Sequence, residues 1–343
     1  MVDVLTHQPG LAPGVLVDEK EGLIVESASP TRLAMRRYRR HRAAMISSVV
    51  LLLIALACVF ASVVAPYGEN EAINLTEDSL QKAIHVSPNA QFWFGTDSIG
   101  RDLYSRILYG GRVSLFVGIA SAISAGLIGT AIGAFAGFRG GKIDNLLMRG
   151  TDLFIGLPLL VVLIVMRLLP EKQPWAATLL GPPGSKRLMV TLISLVTWMI
   201  TARLVRGVVL SLKEKEFVEA ARAVGASDKR IIIRHLVPNT IGPIVVAMTF
   251  IVAAAISLES TLSFFGFGLD PTQASWGNLL SDAGTNIITK KWWLVLFPGV
   301  VLLITILCIN FMGDGLRDAL DPKQEQIAAN ALEPKQAQID VSE

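Results

Sequence analysis

Apolar residues along this chain gather into six long runs separated by polar stretches, with no sustained two-residue alternation between them. The runs fall near residues 44–64, 112–138, 149–168, 188–208, 240–262 and 292–312. A hydrocarbon core about 30 Å thick is crossed by about 20 apolar residues in a helix, so each run predicts one span. Because a lipid-exposed backbone must satisfy its own hydrogen bonds, the expected fold class is all-α, a polytopic membrane protein with six transmembrane helices. The first run follows a polar leader and is longer than a signal-peptide core, with no small-residue cleavage site after it. It predicts a retained anchor.

Composition agrees with this reading. Over 343 residues, 52% are hydrophobic, 17% are charged and the mean hydropathy is +0.53, too apolar for a soluble domain. The formal charge of +3 indicates no general affinity for nucleic acid. With the N-terminus inside, segments 1–44, 139–149, 203–238 and 313–343 hold about two thirds of the 31 Lys and Arg, which puts both termini in the cytoplasm. The expected organisation is a leader with a basic juxtamembrane segment (1–43), a first span (44–64), an extracytoplasmic segment (65–111), a transmembrane core (112–312) and an acidic, disordered tail (313–343). A second outward loop, 169–187, is rich in Pro and Gly. Asn74-Leu75-Thr76 matches a glycosylation triplet, a pattern that arises often by chance.

Three local patterns carry two readings each. Arg36, Arg37, Arg39, Arg40 and Arg42, in RRYRRHR, are either an amphipathic helix on anionic headgroups or the ordinary positive-inside anchor. Ala125, Gly129, Gly133 and Gly137 recur every four residues and form a smooth helix-packing stripe, either within the subunit or between subunits. Asp152, Arg167, Arg203 and Arg206 lie toward span ends, where snorkelling explains them; Glu259 is a candidate for facing a pathway or reaching headgroups.

Chemistry of other kinds finds no support. Four scattered histidines supply no metal-ligand spacing and no triad base, and Cys58 and Cys308 read as small buried hydrophobes, so neither a catalytic nor a metal site is expected. GFRGGKID falls short of a phosphate loop, with Ala136 in place of the first glycine and Ile143 in place of Ser or Thr. No cofactor is expected on this chain.

The stretch 209–238 is different: charged and strongly helix-forming. Gly225 supplies a helix stop, Ser227 and Asp228 a new start, and Pro238 is expected to end the second helix, giving helix, tight turn, helix. Ala220 and Ala221 present almost no side chain, so such a turn suits a partner's groove, with Glu219 as acceptor. A solvated amphipathic loop fits equally well.

Glu219-Ala220-Ala221, then Gly225, then His235 and Pro238 resembles the EAA loop of membrane subunits of type I ATP-binding-cassette importers. The chain departs from the commonest pattern at His235 and Val237, and His-x-x-Pro-Asn is similar to the dipeptide and oligopeptide branch. Residues 94–118 and 258–280 resemble the C-type permeases of the peptide and nickel group. The resemblance implies a type I importer permease fold in a prokaryotic inner membrane, a second homologous permease subunit and two ATPase subunits that use ATP and Mg. It also implies an extracytoplasmic substrate-binding protein, and docking through Glu219, Ala220, Ala221, Gly225, His235 and Pro238. Alternatives are a secondary transporter or channel acting alone, against which the scarcity of mid-membrane charge argues, and a membrane scaffold. The solute stays open among dipeptides, oligopeptides, nickel chelates and glutathione.

Overall fold

The computed structural model describes residues 15–17, 24–26, 30–71, 84–284 and 291–320. A short antiparallel pair, Val15–Val17 (β1) with Ile24–Glu26 (β2), precedes the helices. Helices follow in the order α1 Pro30–Arg40, α2 Arg42–Val59, α3 Ala61–Val64, α4 Leu103–Arg139, α5 Gly141–Ile155, α6 Leu159–Lys172, α7 Pro174–Leu180 and α8 Lys186–Leu212. Then come α9 Glu216–Ala223, α10 Asp228–Ile231, a π-turn Ile232–Leu236, α11 Val237–Phe264, α12 Trp276–Gly284 and α13 Trp293–Leu320. The described residues are thus overwhelmingly helical, as expected.

Among the described residues, five helical stretches are long and apolar enough to cross a membrane: Arg42–Val59, Leu103–Arg139, Lys186–Leu212, Asp228–Phe264 and Trp293–Leu320. The sixth expected span, 149–168, is not one rod. Gly141–Ile155 and Leu159–Lys172 meet at 92°. The break is Gly156-Leu157-Pro158: glycine weakens the helix and proline pushes the residue before it out of α conformation. Other boundaries also shift. The second span begins at Leu103, because Asp102 caps it through a Ser105 N–H donor at 2.8 Å. The loop 169–187 is largely helical, since α6 runs to Lys172 through Pro170 and Pro174 opens α7 at a position where its missing N–H costs nothing. The last helix continues to Leu320; the expected disordered tail beyond it, most of the leader and the Asn74 triplet lie outside the described residues.

The centre of the bundle is the α4–α8 pair, the most extensive helix contact in the chain. Small residues make it so. A Cβ on Gly129 would sit 2.5 Å from the Trp198 carbonyl oxygen, on Gly133 2.3 Å from that of Ala202, and on Gly137 2.9 Å from that of Arg206. Backbones that approach this closely gain dispersion contact, the main attraction available where lipid removes the hydrophobic drive. The glycine stripe therefore packs within the chain. Helix α11 closes on α4, and α13 on α2 and α11. Buried Val117, Leu188, Leu192, Met199 and Leu262 fill one cluster; Leu103, Ile107, Ile256, Trp276, Leu294 and Ile309 fill a second. Outward faces stay apolar, as at Leu53, Val63, Leu127 and Leu303.

Candidate functional site

The charged stretch after α8 folds into a compact knuckle on one end of the bundle. A turn at residues 213–215 leads into α9, whose first turn carries Glu216 and Glu219 where the helix dipole favours negative charge. The helix closes with a Schellman motif. The Ala226 N–H donates to the Ala221 carbonyl at 3.0 Å and the Gly225 N–H to that of Arg222 at 2.9 Å, with Gly225 at φ +78°. Ser227 then leads into α10, and the expected stop at Pro238 does not occur. Instead the π-turn runs straight into α11, with Pro238 in its first turn. A π-turn has already shifted the hydrogen-bond register there, so the missing proline N–H breaks nothing.

Burial divides the knuckle into an anchor and a tip. Val218, Ala221, Ile231 and Leu236 are buried against Ala134 and Phe138 of α4, Val205 and Val209 of α8, and Ile244 of α11. Arg222 lies 5.6 Å from the Phe138 ring centroid and Arg139 3.7 Å from Asp228, two ties between the knuckle and the end of α4. Glu219, Ala220, Gly225 and Pro238 are exposed, His235 is half-buried, and Val224 is 84% exposed beside the turn. The site residues read from sequence thus divide: Ala221 anchors, while Glu219, Ala220 and Gly225 form a small-residue tip with an apolar point that sequence reading passed over. The only available signal was a valine next to the helix-stopping glycine.

The charges that the sequence places toward span ends are paired with one another. Arg206 grips Asp144 with two nitrogens, one at 2.7 Å, Arg203 bonds Asp152, and Arg167, itself buried, bonds Glu171 at 2.7 Å. Glu259 is fully buried and faces hydroxyls, accepting from Ser263 at 2.9 Å and Ser114 at 3.1 Å. It does not reach headgroups, and it does not line the apolar groove of about 650 Å³ between α8, α11 and α13, which Thr197, Ile200, Pro243, Phe250 and Leu320 border.

The end opposite the knuckle is organised by acids that sequence reading did not single out. Asp97 is buried, accepts backbone N–H from Ile99 and Arg101, and pairs with Arg101 Nε at 2.7 Å and Arg106 Nη1 at 3.1 Å. Burial pushes the Asp102 carboxyl above the ordinary carboxylate range, partly offset by its bonds from Ser105. Burial, then the neighbouring Lys291 ammonium, hold the His85 imidazole below its usual range; Lys291 Nζ is 2.6 Å from its Nδ1. Trp276 fastens the loop after α11 to α4, donating from Nε1 to the Ile107 carbonyl at 3.0 Å. Among the described residues no cluster of three or more His, Cys, Asp or Glu is placed to hold a metal.

Comparison with known proteins agrees with this architecture. Residues 129–326 match the family model of the binding-protein-dependent transport system inner membrane component, and residues 29–83 that of the N-terminal TM domain of oligopeptide transport permease C. The dipeptide transport system permease protein DppC of Bacillus subtilis is 40% identical over 297 residues, 87% of each chain. The oligopeptide transport system permease protein OppC of Escherichia coli K12 is 41% identical over 303 residues, 88% of this chain and 94% of that one. In shape, the chain is similar to a subunit of the MetNI methionine ABC transporter in an inward-facing conformation, with TM-score 0.52 and 18% identity over 63% of this chain and 96% of that one. The chain belongs to the family of binding-protein-dependent transport system inner membrane components.

Proposed function

We propose that this chain is one permease subunit of a type I ATP-binding-cassette importer for dipeptides or oligopeptides in a prokaryotic inner membrane. It forms half of the translocation pathway with a second, homologous permease subunit, and an extracytoplasmic binding protein delivers the solute. Two partner ATPases hydrolyse ATP with Mg. Both termini and the knuckle face the cytoplasm, consistent with the distribution of Lys and Arg. The single observation that carries the reading is the division of the knuckle: an exposed tip of Glu219, Ala220, Val224 and Gly225 on an anchor buried against α4, α8 and α11. A tip that enters a partner's groove while its base grips three helices converts motion of the partner into motion of the spans.

Co-purification from the native membrane tests this. The wild-type chain is expected to bring a cassette ATPase in stoichiometric amount, and Val224→Asp, which alters only the exposed point, to lose that ATPase and peptide uptake together. Normal uptake by Val224→Asp, or flux through liposomes holding this chain alone, overturns the reading.

A further inference from the structure

Helix α1 (Pro30–Arg40) carries more cationic charge than anchoring one span requires, and the structure puts four of its five arginines on one side. Arg32, Arg36, Arg39 and Arg40 lie within about 100° of arc on the helix, and all four are exposed. Among the described residues none of these four has a hydrogen-bond or ion-pair partner, and from position 30 to position 68 the sequence contains no Asp or Glu. The opposite side of the helix is committed to the protein. Tyr38 lies against Gly315 of α13 and its hydroxyl meets Ser48 Oγ. At the corner, His41 adopts φ −81° and ψ 93°, accepts the Ala44 N–H on Nδ1 at 3.1 Å, and places Nε2 3.6 Å from Asp318 of α13.

This arrangement fixes where the arginines stand. Only His41 separates α1 from α2, an apolar span, so Arg39 and Arg40 stand within a turn of the span's end, and Arg36 and Arg32 lie farther out along the same face. Met35 is 53% exposed and Ile46 65% exposed on the same end of the bundle, apolar surface beside the charges. Long arginine stems over lipid with guanidinium heads at headgroup depth match phosphate in both charge and geometry. We propose that α1 is a binding surface for anionic phospholipid headgroups, clamped to the last span through Tyr38 and His41. The surface selects phosphatidylglycerol-like lipids over zwitterionic ones whichever leaflet it faces, so the proposal does not depend on the transport reading. Nucleic acid is the poorer partner: the cations stand at a membrane boundary on a chain whose overall charge is only +3.

Each basic residue at an anionic surface contributes roughly a fivefold preference, so neutralising several abolishes selectivity. The test uses the full chain, purified in its complex and exchanged into equal parts of phosphatidylglycerol and phosphatidylcholine, with retained lipid counted by native mass spectrometry. Wild-type protein is expected to retain phosphatidylglycerol in several-fold excess, less so as ionic strength rises. The triple variant Arg36→Gln, Arg39→Gln, Arg40→Gln is expected to retain both lipids equally, with unchanged melting in phosphatidylcholine because these side chains hold nothing in the fold. Undiminished phosphatidylglycerol excess in the triple variant, or an excess indifferent to salt, overturns the proposal. So does loss of the ATPase subunits from the triple variant with lipid selection intact, which makes α1 a protein contact.

Discussion

Replacing Gly225 separates backbone demand from steric demand. At φ +78° the residue occupies the left-handed region, yet a Cβ built there meets no atom within 4 Å. Gly225→Ala therefore creates no clash in this chain, and its cost is conformational, about 1–2 kcal/mol for an L-residue in that region. A cost of that size multiplies the local opening equilibrium of the knuckle about 5- to 30-fold. Hydrogen–deuterium exchange on amides 224–231 reads it directly. Alanine is expected to accelerate exchange by that factor, asparagine by less because its side chain tolerates the left-handed region, and leucine about as much as alanine. If the tip docks in a partner's groove as proposed, leucine is expected to be worse than alanine in solute moved per ATP in the assembled transporter. Wild-type exchange in Gly225→Ala would refute the backbone argument, and equal coupling in the alanine and leucine variants would refute the docking argument.

Three further outcomes are expected. Gly133→Ala places a methyl against the Ala202 carbonyl, forces α4 and α8 apart and costs about 1–3 kcal/mol, read as a lower melting temperature in detergent, whereas Gly150→Ala, in a helix interior with open space around it, is expected to raise melting by the equivalent of about 0.5–1 kcal/mol. Asp97→Ala removes the carboxylate paired with buried Arg106 and costs about 3–5 kcal/mol, read as loss of folded protein at equal synthesis. For His85 the folded pKa lies below the unfolded one, so the unfolded state binds more protons as pH falls. Stability therefore declines as pH drops through about 6.5 toward the lower folded value and levels off beneath it. His85→Asn, which keeps a residue tolerant of the φ of 54°, is expected to flatten that decline in melting measured against pH.

The spans were legible because a bilayer imposes a length and an apolarity that composition alone reports. The glycine stripe was legible as a packing surface, since residues spaced by four share a helix face, but its partner was not: only the fold brings the Ala202 carbonyl to Gly133. The same limit hid the ion pairs. Asp144 and Arg206 lie 62 positions apart, so Arg206 looked like a lone charge near a span end and Asp144 was not noticed. For Glu259, Ser263 one turn away was visible, whereas Ser114, 145 positions away, was not. In the knuckle, Gly225 was readable because its backbone demand is local. Pro238 misled because proline stops a helix only where its N–H is needed, and a π-turn removes that need. The Gly156-Leu157-Pro158 break had a local signal, but averaging apolarity along 149–168 erased it.

The two connections of the knuckle to the bundle differ in stiffness. Its start is joined to α8 through the turn at residues 213–215; its end stays helical from Asp228 to Phe264, through the π-turn at 232–236 and past Pro243. At 1.5 Å per residue, 37 residues make a shaft about 55 Å long, with Ile231 at the driven end and Glu259 near the far one. If the knuckle docks a partner as proposed, a push on the tip is expected to reach the bundle asymmetrically, through the long helical path toward the serine hydroxyls around Glu259 more than through the turn to α8.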